Sequence, residues 1–336
     1  MTMNDATPIQ ELQCSPSCIP EQLYSSSQPV VLRGLVSEWP LVKKSLVSNQ
    51  SAVAYLNQFY NGQAVNAFMA KPEANGRIFY NESVDGFNFV QSKVYLDDML
   101  EKLVDISEQT GQATYYVGSL AIEKHLPRFA HENRLVLEQD LLSQSIWLGN
   151  RSVIAPHFDF PDNLACCVIG ERKFTLFPPE QQENLYIGPL DFTPAGQPIS
   201  MVNIQDPDLQ TYPKFANAML SAKTTILAPG DAIFIPSMWW HSVESLSALN
   251  GLVNYWWRNT PAYLGVPTNA LLHAMLSIKH LPKSQREAWQ NMFNNYVFDP
   301  PSDIYEHLPV TIRQKQSDMT EIIAHKIRAH LITKLK

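Results

Sequence analysis

The residues best suited to chemistry are two histidines and an aspartate with the spacing of a metal site. His157 and Asp159 stand two positions apart, and His241 follows 82 residues after the aspartate. In a β-strand, residues i and i+2 project from the same face, so His157 and Asp159 can both point into a barrel. A second imidazole from a later strand would complete a set of two histidines and one carboxylate. Such a set leaves coordination positions open and is typical of Fe(II) oxygen chemistry.

The surroundings of these residues distinguish them from the other histidines. His157 enters an apolar β run, and His241 follows the turn and apolar strand of the segment 229–236. The remaining histidines fall in loops or helical stretches, and we expect them to be structural or solvated. They are His125, His131, His273, His280, His307, His325 and His330.

The composition is that of a folded, acidic protein. Hydrophobic residues make up 45% of the 336 positions, and the net charge is −7. An acidic chain lacks the broad positive field that nucleic acids attract, so a nucleic-acid partner is not expected. The uncharged stretch 259–278 contains prolines and is a poor membrane span, and the first ten residues show no signal peptide. We therefore expect a cytoplasmic protein without a membrane partner.

The four cysteines fit a reducing compartment. Cys14 and Cys18 have the spacing of half a zinc site, but no second Cys or His pair of matching spacing follows. Cys166 and Cys167 stand in an apolar run, which favours buried structural thiols.

The elements that must position the three ligands are short β-strands. Between about residues 113 and 257 apolar runs alternate with Gly, Pro and Asp turns, and the runs are TYYVGSL, SQSIWLG, LACCVIG, KFTLFP, TTILA, AIFIP and LVNYWW. Such a series predicts an antiparallel jelly-roll sandwich or barrel. The tight junction at Gly170-Glu171 predicts a hairpin between the third and fourth of these runs.

Helices are expected on both sides of this β region, so the predicted fold class is mainly β with flanking helices. Apolar residues recur at helical spacing over 51–60, 95–104, 268–280, 284–297 and from about Asp318. The predicted organisation is a mixed α/β segment at 1–112, a β core at 113–260 and a helical region at 261–336. The apolar stripe of the last helix either packs on its own domain or meets a partner.

Several strings of residues resemble the JmjC/cupin-like dioxygenases, and within them the branch of the asparaginyl hydroxylase that inhibits hypoxia-inducible factor. The resemblance runs from about residue 20 to 260. Its strings are PVVLRGLVSEWP from Pro29, YYVGSL from Tyr115, HFDFPDN from His157, GERKFTLFPP from Gly170, PGD from Pro229 and PSMWWHSVESL from Pro236.

This resemblance implies a double-stranded β-helix core in which His157, Asp159 and His241 bind Fe(II). It further implies that 2-oxoglutarate chelates the metal through its 1-carboxylate and 2-oxo group, leaving one position for O2. The implied reaction is hydroxylation of a C–H bond with release of succinate and CO2.

The resemblance also implies residues that hold the cosubstrate. The family commonly has Lys at the position of Arg172, and strand alternation places Arg172 inside and Lys173 outside if Phe174 faces the core. An arginine there can donate two parallel hydrogen bonds from its guanidinium to the distal carboxylate. Tyr115 stands where the family uses a tyrosine hydroxyl, with Tyr116 as the alternative if the register shifts by one.

Further positions concern the same pocket. Asn163 and Asn254 match amides that the family places near the cosubstrate and the metal. Ile154 occupies a place often held by Thr, which removes one hydroxyl donor. Trp240 and Trp256 are expected to form walls of the pocket.

The target of the reaction is left open by the sequence. The insert 184–214 is expected to form part of the mouth, and a protein side chain, a small metabolite and a modified nucleoside are all candidates. Two other functional classes compete with a 2-oxoglutarate oxygenase: a cupin-fold binding or regulatory protein without turnover, and a cupin metalloenzyme without a cosubstrate. The related hydroxylase pairs its protomers through C-terminal helices, which makes a homodimer a further expectation.

Overall fold

The computed structural model describes residues 6–109, 111–194, 196–317 and 319–335, and the strands within them form two sheets. The strands are β1 (Thr7–Pro8), β2 (Gln10–Gln13), β3 (Val30–Arg33), β4 (Val65–Ala70), β5 (Arg77–Ile78), β6 (Phe89–Val94), β7 (Thr114–Ala121), β8 (Leu141–Gly149), β9 (Ser152–Phe158), β10 (Asp162–Ile169), β11 (Arg172–Phe177), β12 (Lys223–Leu227), β13 (Ala232–Ile235), β14 (Trp240–Ser245) and β15 (Asn250–Trp257).

The α-helices precede, interrupt and follow these strands. They are α1 (Pro40–Val47), α2 (Asn49–Asn57), α3 (Leu96–Asp105), α4 (Ile122–His125), α5 (Phe129–Glu132), α6 (Phe215–Leu220), α7 (Pro267–Ser277), α8 (Lys283–Phe293), α9 (Val310–Ser317) and α10 (Glu321–Lys334). Helix α2 begins at a serine cap, because the Ser48 hydroxyl accepts a hydrogen bond from the backbone N–H of Ser51.

The two sheets have the strand arrangement of a jelly roll. The smaller sheet has six strands in the order β1-β12-β11-β14-β9-β5, and the larger has nine in the order β2-β3-β13-β10-β15-β8-β7-β4-β6. Along the chain from β8 to β11, and again from β13 to β15, successive strands alternate between the sheets. The predicted fold class, a β jelly roll with flanking helices, is confirmed.

The predicted hairpin at Gly170-Glu171 is wrong. Strand β10 lies in the larger sheet and β11 in the smaller one, so this turn carries the chain across the sandwich. Gly170 has a φ of +67°, and a Cβ there would lie 2.4 Å from the carbonyl oxygen of Leu249. A short apolar-turn-apolar pattern is the same for a hairpin and for a crossing between sheets, so the sequence did not separate them.

Side chains alternate along the central strands, so that some face the space between the sheets and others face outward. Ala165 of β10 and Phe174 of β11 belong to the buried cluster between the two sheets, while Cys166 belongs to the cluster on the opposite face of the larger sheet. Cys166 and Cys167 are both fully buried free thiols, as predicted.

Helices cover the outer face of the larger sheet. Leu56 of α2 and Leu100 of α3 pack in the same buried cluster as Val253 of β15. Strands β2 and β3 of the N-terminal segment join this sheet, so residues up to Arg258 form one unit. The division of that unit at residue 112 stays a prediction.

Residues from Asn259 onward form a second, helical unit. Among its described side chains only Ala324, which is 8% exposed, is buried. No helix in the described part of the chain is long and apolar enough to cross a membrane.

Candidate metal centre

The three predicted metal ligands lie together at one end of the space between the sheets. His157 of β9 and His241 of β14 are direct partners across an antiparallel pair, and their ring centroids are 4.3 Å apart. Asp159 follows the last residue of β9. Within the described residues the ligand atoms of these three side chains lie within 4.8 Å of one another. The strand pair therefore supplies two imidazoles and one carboxylate around a common point.

The backbone selects which imidazole nitrogen faces that point. His157 Nδ1 lies 2.9 Å from the carbonyl oxygen of Ala155, and His241 Nδ1 lies 3.0 Å from that of Trp239. A carbonyl oxygen only accepts, so Nδ1 carries a proton in both rings and Nε2 is the nitrogen left to face the common point. Metal-binding histidines are held in this way by a bond from their second nitrogen.

Burial keeps His241 neutral. Removal from water lowers the pKa of His241 to about 4, with His157 adding to the effect and Asp159 opposing it. At neutral pH the imidazole is therefore unprotonated at Nε2, which is the form that binds a metal ion.

Two side-chain donors hold the carboxylate of Asp159. Asn163 Nδ2 and Trp256 Nε1 each donate to Oδ2 at 3.0 Å. Asn254 Nδ2 donates in turn to Asn163 Oδ1 at 2.7 Å. Trp256 was expected only as a wall of the pocket, and no local pattern in the sequence indicated its bond to the carboxylate.

A cavity of about 250 Å³ connects the metal ligands to Arg172. Its lining is mostly apolar, and Tyr116, Asn163, Arg172 and Asn254 contribute polar groups. Leu176 of β11 pairs with His241, and Arg172 begins the same strand. Four residues of strand separate their backbones by about 13 Å. The extended arginine side chain covers part of that length, and the remainder suits a short dicarboxylate.

Arg172 is a buried cation without an anionic partner. Its side chain is 2% exposed, and Nη2 lies 3.4 Å from the carbonyl oxygen of Trp147. Among the described residues no carboxylate forms an ion pair with it, and its Nε has no hydrogen-bond partner. Burial lowers the pKa of Arg172, with the phenol of Tyr116 opposing that effect. Buried charges in proteins are normally paired, so this guanidinium is suited to an anionic ligand.

The hydroxyl beside Arg172 belongs to Tyr116 and not to Tyr115. Tyr116 is buried in the cavity within hydrogen-bonding reach of the guanidinium, and burial raises the pKa of its phenol to about 12. Tyr115 points to the other face of β7, where its ring lies 4.4 Å from Lys102 Nζ. The primary assignment to Tyr115 is therefore corrected to the alternative. Because a guanidinium only donates, the Tyr116 oxygen accepts from it and its own hydrogen stays available.

The two neighbouring tyrosines give a matched pair of variants. Tyr116→Phe removes the hydroxyl from the cavity, and we expect 2-oxoglutarate to bind at least about 10-fold more weakly, because a hydrogen bond to a charged carboxylate contributes about 1.5–3 kcal/mol. Tyr115→Phe removes a hydroxyl outside the cavity and is expected to leave the affinity unchanged. Titration of the metal-loaded protein measures both, and equal effects of the two variants would contradict the assignment.

The other predicted positions lie on both faces of the smaller sheet. Lys173 points away from the cavity and lies 3.4 Å from Glu244. Ile154 lines the cavity, so the hydroxyl that a threonine would bring is replaced by an apolar surface. Trp240 packs with Phe158 on the outer side, so it does not line the cavity.

An aromatic wall that the sequence did not predict leads from the cavity toward the insert 184–214. Phe68 lines the cavity and lies 5.0 Å from Phe89, which stacks on Phe87 at 5.0 Å. Phe87 stacks on Phe192 of the insert at 4.8 Å, and the hydroxyl of Tyr80 donates to the Phe192 carbonyl at 2.6 Å. The insert also contributes Pro194, Gln197 and Ile199 to the lining, as expected for part of the mouth.

The fold and the site together define a class of protein. A jelly roll with a cluster of two histidines and one aspartate between its sheets is a cupin-type barrel with a candidate metal centre. Residues 16–263 match the cupin-like domain family, and the chain belongs to that family. Its JmjC members include Fe(II)/2-oxoglutarate-dependent demethylases. The likeness to the asparaginyl hydroxylase branch stays a prediction.

Individual relatives have diverse names. The chain is 27% identical over 256 residues to lysine-specific demethylase JMJ31 of Arabidopsis thaliana, covering 69% of this chain and 46% of that protein. It is 25% identical over 265 residues to tRNA wybutosine-synthesizing protein 5 of Danio rerio, covering 69% and 77%. It is 26% identical over 254 residues to human HSPB1-associated protein 1, covering 70% and 49%. The chain thus spans about half the length of the first and third of these relatives.

Proposed function

We propose that this protein is an Fe(II)- and 2-oxoglutarate-dependent dioxygenase that hydroxylates a C–H bond of a protein side chain or a small molecule. The observation that carries the proposal is Arg172, a buried guanidinium without a carboxylate partner in the cavity that the metal ligands also line. An inward-facing cation is not needed by a cupin metalloenzyme without a cosubstrate. A dicarboxylate that reaches from the metal to Arg172 explains it.

The donor set fits Fe(II). His157 and His241 would bind it through Nε2 and Asp159 through a carboxylate oxygen, since mixed nitrogen and oxygen ligands suit this ion and leave positions open. When bound, Fe(II) with 2-oxoglutarate and O2 supplies the oxidising chemistry, with release of succinate and CO2.

The protein contributes orientation and exclusion of water. Arg172 and Tyr116 would fix the distal carboxylate, while Trp147 and Phe174 line the space between them and the ligands. The residues at the mouth of the cavity favour a substrate whose hydroxylated group is uncharged. Within the described lining the only carboxylate is the ligand Asp159, and two further polar residues, Ser119 and Gln197, are neutral. A cytoplasmic location stays a prediction of the sequence.

The proposal is tested by anaerobic titration of the Fe(II)-loaded protein with 2-oxoglutarate. We expect the weak visible charge-transfer band of the chelate in the wild type and its loss in His157→Ala. Absence of the band with iron demonstrably bound would contradict the proposal. It would favour a cosubstrate-free metalloenzyme or a binding protein without turnover.

We further propose that the helical unit pairs two copies of this chain. A unit with one buried residue among its described side chains has too little core to be stable by itself. Its own helices line an apolar groove of about 830 Å³ that includes Trp289, Phe293, Ile327 and Leu331. A second copy presents the same apolar helices and can cover this surface through a twofold interface.

The pairing predicts a change of mass on truncation. We expect the full chain to be a dimer of twice 38.0 kDa and a chain ending at residue 310 to be a monomer in light scattering. Leu46→Glu, at an exposed apolar residue of the first unit, is the matched control and is expected to stay dimeric. A monomeric wild type, or a dimer that survives the truncation, would contradict this arrangement.

A further inference from the structure

The hydrogen bonds behind Asp159 have only one consistent direction. An ionised carboxylate only accepts, so the group of Asn163 that faces it must be the amide nitrogen. The oxygen of the Asn163 amide then faces Asn254 and must accept. Asn254 therefore presents its nitrogen to Asn163, at 2.7 Å. The charge on Asp159 thus fixes the orientation of two successive amides.

Strand pairing holds this chain of bonds in place. Asn163 of β10 pairs with Trp256 of β15, and Ala165 pairs with Asn254, so the three polar side chains project from one face of the sheet. Asn163 and Asn254 are both 3% exposed. Both amides are shielded from bulk solvent, so each depends on its neighbour for a hydrogen-bond partner.

The last polar atom in this series of hydrogen bonds is an acceptor. Asn254 Oδ1 is buried and has no hydrogen-bond partner among the described residues. It lies in the wall of the cavity that contains the metal ligands. The Asn254 nitrogen donates one of its two hydrogens to Asn163 and keeps the other. The contact of Asn254 with the cosubstrate, which its sequence position implies, stays a prediction.

We propose that Asn254 is a positioning residue for the metal centre, acting through Asn163 on the carboxylate of Asp159. Asn254 keeps the Asn163 amide turned so that its nitrogen faces Oδ2. Without that bond the Asn163 side chain is free to turn, and the carboxylate keeps only the donor on Trp256. The inference rests on the metal site of the proposed function and does not depend on 2-oxoglutarate.

The first measurement is the affinity for Fe(II) in anaerobic calorimetry, without 2-oxoglutarate. Loss of an outer partner of a metal ligand weakens metal binding by about 10- to 100-fold, and we expect this for Asn163→Ala and for Asn254→Ala. Asn250→Ala is the matched control, because Asn250 is a buried amide on the same strand that bonds to the Ser247 carbonyl. It is expected to leave the Fe(II) affinity unchanged.

The second measurement separates action through Asn163 from an independent effect. In the Asn163→Ala background, Asn254→Ala is expected to weaken Fe(II) binding by no more than about twofold further, the scatter of non-interacting sites. If Asn254 acts independently of Asn163, the two losses multiply. Should Asn254→Ala fail to fold, Asn254→Leu fills the same space without a donor and is expected to behave in the same way.

Three results would overturn the proposal. These are an unchanged Fe(II) affinity in folded Asn254→Ala or Asn254→Leu, multiplied losses in the double variant, and a loss of 2-oxoglutarate affinity with intact metal binding. A wild type that binds Fe(II) but not 2-oxoglutarate would refute the proposed function and leave this test in force. A wild type that binds no Fe(II) would refute both.

Discussion

Replacing Asp159 by alanine is expected to abolish Fe(II)-dependent decarboxylation of 2-oxoglutarate while the fold survives. The variant removes the only carboxylate from the described ligand cluster, and two imidazoles alone leave the metal weakly held. Asp159 is half-buried and follows strand β9, so its loss opens no cavity in the core between the sheets. We therefore expect CO2 release to fall to background in a variant that still folds, with a loss of about 1–3 kcal/mol in the free energy of unfolding because Asn163 and Trp256 lose their acceptor.

The control for this variant is Asp191→Ala, which removes an exposed carboxylate from the insert. It is expected to keep the wild-type rate of decarboxylation. Fe(II) titration of both variants ties the loss to the metal, because only Asp159→Ala should fail to bind the ion. Decarboxylation at the wild-type rate in Asp159→Ala would refute the ligand assignment.

Arg172→Ala is expected to weaken the binding of 2-oxoglutarate while Fe(II) binding stays intact. A hydrogen bond to a charged group contributes about 1.5–3 kcal/mol, which corresponds to a rise in Kd of roughly 10- to 150-fold. The guanidinium lies in the cavity away from the metal ligands, so its loss acts on the distal carboxylate and not on the metal. Anaerobic titration of the charge-transfer band measures this Kd directly.

Lys173→Ala is the matched control for Arg172→Ala. Lys173 is the adjacent cation on the same strand, and it faces Glu244 outside the cavity. Its loss is expected to leave the affinity for 2-oxoglutarate unchanged. Arg172→Lys keeps the charge without the planar fork, and we expect it to recover part of the affinity. If Lys173→Ala weakened binding and Arg172→Ala did not, the roles of the two cations would be reversed.

Strand alternation was sufficient to place the cations of β11. Phe174 and Leu176 face the core between the sheets, and the same parity brings Arg172 into the cavity and Lys173 out of it. The strand is regular from its first to its last residue, so counting by twos works.

Alternation fails in β7, so counting by twos could not have separated Tyr115 from Tyr116. Val117 and Leu120 both pack on the outer face of the larger sheet, although they are three positions apart. The pairing with β8 shifts its register between them. Counting back from Leu120 by twos would leave Tyr116 outside and Tyr115 inside, the reverse of the structure. The irregular step contains Gly118, a residue type that often marks a bulge, and it leaves Tyr116 and not Tyr115 in the cavity.

Long-range contacts account for the features that the sequence did not predict. The aromatic wall joins residues of β4 and β6 to Phe192, more than 100 positions away. The bond from Trp256 to Asp159 spans 97 positions. Neither has a local pattern, because the residues come together only after the sheets have formed.

Because the buried guanidinium of Arg172 has no carboxylate partner, the free energy of unfolding should depend on whether an anion is bound beside it. A native state that holds an unpaired cation away from water carries a penalty that the unfolded chain does not. An anion that binds only the native state removes this penalty, and at one hundred times its Kd it adds about 2.7 kcal/mol to the free energy of unfolding. Resistance to heat and to proteolysis would then rise with the concentration of short dicarboxylates. The lifetime of the protein would depend on how much of these ligands is present.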